Sequence, residues 1–213
     1  MILDTKIADQ TAGFLLQINA IKLNPKNPFQ WASGWKSPIY CDNRLALSYP
    51  NIRNFLAQSM AAAAQKKYPQ VTHIAGVATG AIGIGLLVAE ALDLPFVYVR
   101  PEAKKHGRKN QVEGQLPEAA QVLVIEDLIS TGKSSLNAVN ALQEANAHVL
   151  GMFAIFTYGF EIARTHFDAA GVALNTLCDY DHLIGHALQA GQVEANQELL
   201  LQAWRKSPDT WNP

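Results

Sequence analysis

What this chain lacks narrows it before any motif is read. It has two cysteines in 213 residues, Cys41 and Cys178. Their separation matches neither a metal-ligand spacing nor a disulfide framework, so they read as reduced thiols of a cytoplasmic protein. No apolar stretch approaches the ~18 residues of a membrane span, since the run from Ile82 to Leu92 is too short and contains Glu90. Met1 to Gln10 carries acids and no apolar core, so no secretory leader is expected. Neither sign of charge dominates, with 17 Lys and Arg against 18 Asp and Glu. That balance excludes a nucleic-acid binder relying on a general electrostatic field. Two phosphate-binding fingerprints are also missing. Gly76, Gly80, Gly83 and Gly85 do not fall on the dinucleotide spacing. Gly132-Lys133-Ser134 ends like a P-loop, but Asp127 occupies the position where that loop needs its first glycine. There are no internal repeats, no low-complexity tracts and no linker, so 1–213 reads as a single domain.

What is present is alternation. Residues 5–20 carry apolar side chains near a 3.6-residue period, and Pro50 to Tyr68 repeats the pattern with proline at its start. From His73 onward strands and helices take turns. Strands are expected at 73–77, 96–100, 122–126, 149–156 and 172–177, and helices from the Thr79–Gly83 turn through Leu92, then at 134–146, 160–169, 180–190 and 194–206. This order predicts an α/β fold with a central, mostly parallel sheet flanked by helices.

The most informative stretch runs from Val122 to Ser134. An apolar strand ends in Glu126 and Asp127; Leu128, Ile129, Ser130, Thr131 and Gly132 form a turn; and a helix follows from Lys133 and Ser134. Open α/β sheets bind ligands at the carboxyl ends of such strands, and the N–H groups opening a helix favour an anion. Helix capping alone explains the hydroxyls but not the paired acids. Together they point to a phosphorylated sugar, with acids for hydroxyls and a turn for phosphate. Residues 101–120 form a second unusual segment, a polar connection too long for an idle loop. Beside a phosphate site, its cations suit a lid that closes over a polyanion. His182 and His186 have an i,i+4 spacing but no third ligand, and Trp204, Trp211 and Leu199–Leu201 read as packing anchors.

The Glu126 to Ser134 stretch resembles the phosphoribosyl pyrophosphate (PRPP) motif of type I phosphoribosyltransferases. Two further motifs are more selective. Arg100-Pro101-Glu102-Ala103-Lys104-Lys105-His106-Gly107 resembles the catalytic loop of the orotate phosphoribosyltransferase family, and Phe29 to Tyr40, around Ser33-Gly34 and Ser37-Pro38, resembles that family's N-terminal motif. The resemblance covers nearly the whole chain. It implies a type I phosphoribosyltransferase fold in which about residues 1–45 form a hood over the active site. It also implies transfer of a 5-phosphoribosyl group from PRPP to orotate in pyrimidine biosynthesis.

Under this resemblance Lys104, His106, Arg100 and Asp127 are the catalytic residues. PRPP would be met by Arg100, Lys104, His106, by Glu126 through Ser134 and by Thr79 and Gly80; orotate by Ser130, Ile39, Tyr40 and Lys36. Mg²⁺ is the implied cofactor, held through PRPP with Glu126 and Asp127 nearby rather than ligated by the protein. A homodimer sharing its catalytic loops is implied, with neither nucleic acid nor membrane as partner. The chain departs from the family at Ala32, at Pro101, in the lysine-free turn Gly76 to Ala81, and at Tyr158, where an arginine often meets orotate.

Overall fold

The structure is a computed structural model that describes residues 1–31, 33–102 and 111–212. Helix α1 (Thr5–Gln17) opens on Asp4, whose Oδ1 accepts from the N–H groups of Lys6 and Ile7 at 2.8 and 3.0 Å. Four short strands follow: β1 (Ile21–Leu23), β2 (Phe29–Gln30), β3 (Lys36–Ser37) and β4 (Ile39–Cys41). They form two antiparallel pairs, β1 with β4 and β2 with β3. A 3-10 helix (Asn43–Ser48) leads to α2 (Pro50–Lys67), which has proline in its first turn and Lys66 and Lys67 in its last. Both features suit the ends of a helix.

The remaining elements build the main layer. They are β5 (His73–Val77), α3 (Ile82–Leu92), β6 (Phe96–Val99), β7 (Val112–Glu113), β8 (Gln121–Ile129), α4 (Lys133–Glu144), β9 (His148–Thr157), α5 (Glu161–Ala169), β10 (Leu174–Asp179), α6 (Tyr180–Gln189) and α7 (Ala195–Lys206). The sheet order is β10-β9-β8-β5-β6-β7, parallel except for β7. Alternate residues of β8 feed different cores. Leu123 and Ile125 join the cluster around Leu56, Met60 and Phe153, whereas Val122 and Val124 join Leu142 and Phe167 on the other face. The alternating pattern thus gave the architecture correctly.

Local periodicity misplaced several boundaries. Strand β8 continues past the acids to Ile129, because Leu128 and Ile129 pair with Phe156 and Thr157 of β9. Strand β10 lies two residues later than its pattern implied. The connection 101–120 contains β7, and the 31–44 segment contains strands too short to leave a periodic trace. Leu199 is 76 % exposed, so Leu201 and Trp204, both fully buried, are the anchors of α7.

The direction in which the chain winds through the sheet reverses between the parallel neighbours β5 and β8. From β5 the chain crosses by α3 to β6 on one side, and from β8 by α4 to β9 on the other. A crevice opens at the carboxyl ends of strands at such a switch point.

Candidate functional site

At that switch point two cavities meet. The first, of about 520 Å³, is walled by Val77–Gly80 after β5, by Glu126–Leu128, Ser130–Gly132 and Ser134 around the end of β8, and by Cys41, Asp42 and Arg44. The second, of about 250 Å³, is formed by Gln30, Trp31, Tyr40, Cys41, Leu128, Ser130 and Tyr158. Cys41, Leu128 and Ser130 belong to both, so the cavities share a wall. A larger hollow, about 570 Å³ between α5 and β10, holds ion-paired side chains such as Arg164 with Glu161 and Arg205 with Asp181, and lies away from these motifs.

The first cavity is polar because both acids at the end of β8 line it. Glu126 is buried; its Oε2 accepts from the Ser135 hydroxyl at 2.8 Å and its Oε1 from the Asp127 N–H at 3.0 Å. Burial, reinforced by the neighbouring Asp127 charge, raises its carboxyl well above the usual carboxylate range. The Asp127 carboxylate lies against Gly80, where an added Cβ would collide with it. The Asn43 amide donates to the Asp127 carbonyl at 2.7 Å and ties the strand end to the 3-10 helix.

The turn after β8 is shaped to hold an anion. Gly132 has φ of +80°, and a Cβ there would meet Phe167 at 2.8 Å, so only glycine fits comfortably. No side chain caps α4, which leaves its first N–H groups for a ligand. His166 Nδ1 donates to the Thr131 carbonyl at 2.9 Å and braces the turn from α5. On the facing side Arg44 grips Asp42 with both of its nitrogen arms, Nε to Oδ1 at 2.6 Å and Nη2 to Oδ2 at 2.9 Å. That guanidinium holds the Asp42 carboxyl below its ordinary range. The Ala78–Thr79 peptide is cis.

The second cavity is aromatic. Trp31 stacks near Trp35 at 6.3 Å and meets Tyr158 and Trp204 at 5.1 and 5.7 Å. The indole N–H of Trp31 donates to the Ile39 carbonyl, and that of Trp204 to the Lys36 carbonyl, at 3.1 and 3.2 Å. These bonds fasten strands β3 and β4 over the aromatic cluster. Cys41 donates to Asn43 Oδ1 at 3.2 Å, and burial pushes its thiol up, so this wall is neutral.

The structure gathers Asp127, Glu126, Leu128, Ser130, Thr131, Gly132, Ser134, Thr79, Gly80 and Tyr40 around these cavities. Other expected site residues stand apart from the two linings. Ile129 is buried in the core; Lys133 is exposed; Lys36 donates to Asn212 at 2.6 Å; and Ile39 contributes through its carbonyl. Arg100 pairs with Glu113 at 3.5 Å. Lys104 and His106 lie outside the described residues. Sequence reasoning missed Asn43, Arg44, Ser135 and His166. Ser135 is one residue beyond the motif and Arg44 closes the 31–44 segment, whereas nothing local marks His166. The two helix histidines bind separate acids, His182 to Asp179 at 2.7 Å and His186 to Asp9 at 2.8 Å.

Residues 47–168 match the family model described as phosphoribosyl transferase domain, which defines the class. A crystal structure of orotate phosphoribosyltransferase from Aeropyrum pernix superposes with a TM-score of 0.73 at 27 % identity, covering 86 % of this chain and 99 % of that one. UMP synthase from Leishmania donovani shares the fold, with a TM-score of 0.78 at 22 % identity over 93 % of this chain and 42 % of the other. An orotate phosphoribosyltransferase of Porphyromonas gingivalis is 54 % identical over 200 residues, spanning 94 % of this chain and 95 % of its own length. The chain belongs to the orotate phosphoribosyltransferase family.

Proposed function

We propose that this enzyme transfers the 5-phosphoribosyl group of PRPP to orotate, giving orotidine 5′-monophosphate and pyrophosphate on the route to UMP. The observation that carries the reading is the pair of joined cavities. One suits a phosphorylated sugar, the other a flat base, and they meet at Cys41, Leu128 and Ser130, where the new bond must form.

In this reading the 5′-phosphate rests on the Ser130–Ser134 turn and the free N–H groups of α4. Asp127 takes the ribose hydroxyls, and Glu126, whose oxygens already hold Ser135 and the Asp127 N–H, keeps that carboxylate aimed. Thr79 and Gly80 line the pyrophosphate side. As the bond from the anomeric carbon to pyrophosphate breaks, positive character develops on the ribose and negative charge on the leaving group. Catalysis then depends on placed charges more than on a protein nucleophile. Arg100, Lys104 and His106 supply cations for the departing pyrophosphate. Arg44, on the wall of the same cavity, adds another.

Mg²⁺ carried by PRPP would supply further charge neutralisation at the pyrophosphate. Glu126 and Asp127, with Asp42, line the same cavity. That donor set fits an ion brought in by the substrate. Residues up to about 45 act as the hood, held down by the Trp204 N–H bond to the Lys36 carbonyl. Helix α3 is apolar apart from Glu90, and its Leu86 is 52 % exposed. That surface suits packing against a second copy, and catalytic loops shared across such a homodimer are what the family resemblance implies. No helix among the described residues is long and apolar enough to cross a membrane; the free thiols Cys41 and Cys178 support a cytoplasmic location.

Pyrophosphate release from PRPP and Mg²⁺ in the presence of orotate, uracil or adenine tests the reaction. Release with orotate is expected; release only with another base, or with none, would overturn it.

A further inference from the structure

Tyr158 follows β9 directly, and its ring is caged by Trp31, Phe160, Phe156 and Trp204 at 5.1, 5.3, 5.4 and 5.7 Å between centroids. The residue is 2 % exposed. A buried phenol ordinarily finds a hydrogen-bond partner. Tyr180, equally buried, donates to the Leu201 carbonyl at 3.0 Å. The Tyr158 hydroxyl has no partner among the described residues, yet it is not sealed among protein atoms as the Tyr68 hydroxyl is. Its side chain lines the aromatic cavity. Burial raises the phenol well above its usual range and keeps it a neutral donor.

No charged side chain lines this cavity among the described residues. An anionic base entering it must therefore be held there by neutral donors. Gln30 and Tyr40 are exposed and can turn to water, and Ser130 is shared with the sugar side. Tyr158 alone among them is held rigidly and lacks an alternative bond.

We propose that the Tyr158 hydroxyl donates a hydrogen bond to the carboxylate of the acceptor base and thereby selects it, an inference that rests on the orotate reading above. A hydrogen bond to a charged oxygen is stronger than one to a neutral carbonyl. A base with hydrogen in place of the carboxylate would leave the buried hydroxyl stranded, so selection works by rejection as well as by attraction.

Tyr158→Phe keeps the ring in its cage and removes only the hydroxyl. The KM for orotate should rise roughly ten- to a hundredfold, with PRPP affinity by calorimetry unchanged, and preference for orotate over uracil should shrink by a similar factor. An unchanged orotate KM would overturn the proposal. So would an equal loss of PRPP affinity, since that signals a disturbed scaffold. Failure of the parent enzyme to use orotate would instead remove the reading on which the proposal stands.

Discussion

The sugar cavity and the base cavity share three residues but are built by contrasting means. Around the sugar, polar groups are satisfied in advance: Glu126 by Ser135, the Asp127 carbonyl by Asn43, Asp42 by Arg44 and the Thr131 carbonyl by His166. Around the base, aromatic rings fix one another, and the one rigid hydroxyl is left unpaired. A common, highly charged donor can be met by a preorganised network. Choosing among flat bases calls for a shaped apolar slot with few polar groups.

This division can be broken in four ways. The largest effect is expected from Lys104→Ala, which should lower kcat by about 100- to 1000-fold, as for loss of a charge-stabilising group, while PRPP still binds. Unchanged turnover would remove Lys104 from the chemistry. Next, Asp127→Asn should weaken PRPP binding about 10- to 100-fold, typical of losing a charged hydrogen-bond partner. Calorimetry should find orotate's own contacts untouched, and equal PRPP affinity would end the ribose-clamp assignment. Smaller again, Trp204→Phe deletes the N–H that holds the Lys36 carbonyl. It should cost about 1–3 kcal/mol of stability and raise the orotate KM more than that of PRPP. A larger change for PRPP would mean that the cavities are not separable.

The smallest effect concerns pH. Folded Glu126 has a raised pKa, so the native state keeps a proton that the unfolded chain has already lost. Its contribution is fullest in acid and declines as pH rises through the window between the unfolded and folded values. Glu126→Gln cannot lose that proton. The melting temperature of the variant relative to the parent should rise by roughly 2–4 °C between mildly acidic and mildly alkaline buffer; a constant difference would refute the buried, protonated carboxyl.

The sugar cavity was largely legible in the sequence because Glu126 to Ser134 is contiguous: strand, acids, turn and helix follow one another. Local pattern could not reveal that β8 continues to Ile129, since this depends on pairing with β9. It therefore treated Glu126 and Asp127 as equivalent, although Glu126 is buried against Ser135 and Asp127 lies against Gly80. The base cavity was less legible. Trp31 precedes Tyr158 and Trp204 by more than a hundred residues, all three look like ordinary core, and His166 reaches Thr131 from another helix. Tyr40 and Ser130, inside recognisable motifs, could be named beforehand as orotate contacts, Leu128 only as part of the PRPP motif and Tyr158 only as a departure from the family pattern.

The aromatic wall has a further consequence, in light rather than in energy. Three of the four tryptophans, Trp31, Trp35 and Trp204, form one connected group at the base cavity, while the sugar cavity has none in its lining. Indole emission responds to the polarity and stacking of its surroundings. The expected outcome is an optical reporter for one half of the reaction: in a fluorescence titration, the base should change the emission more than the sugar phosphate does.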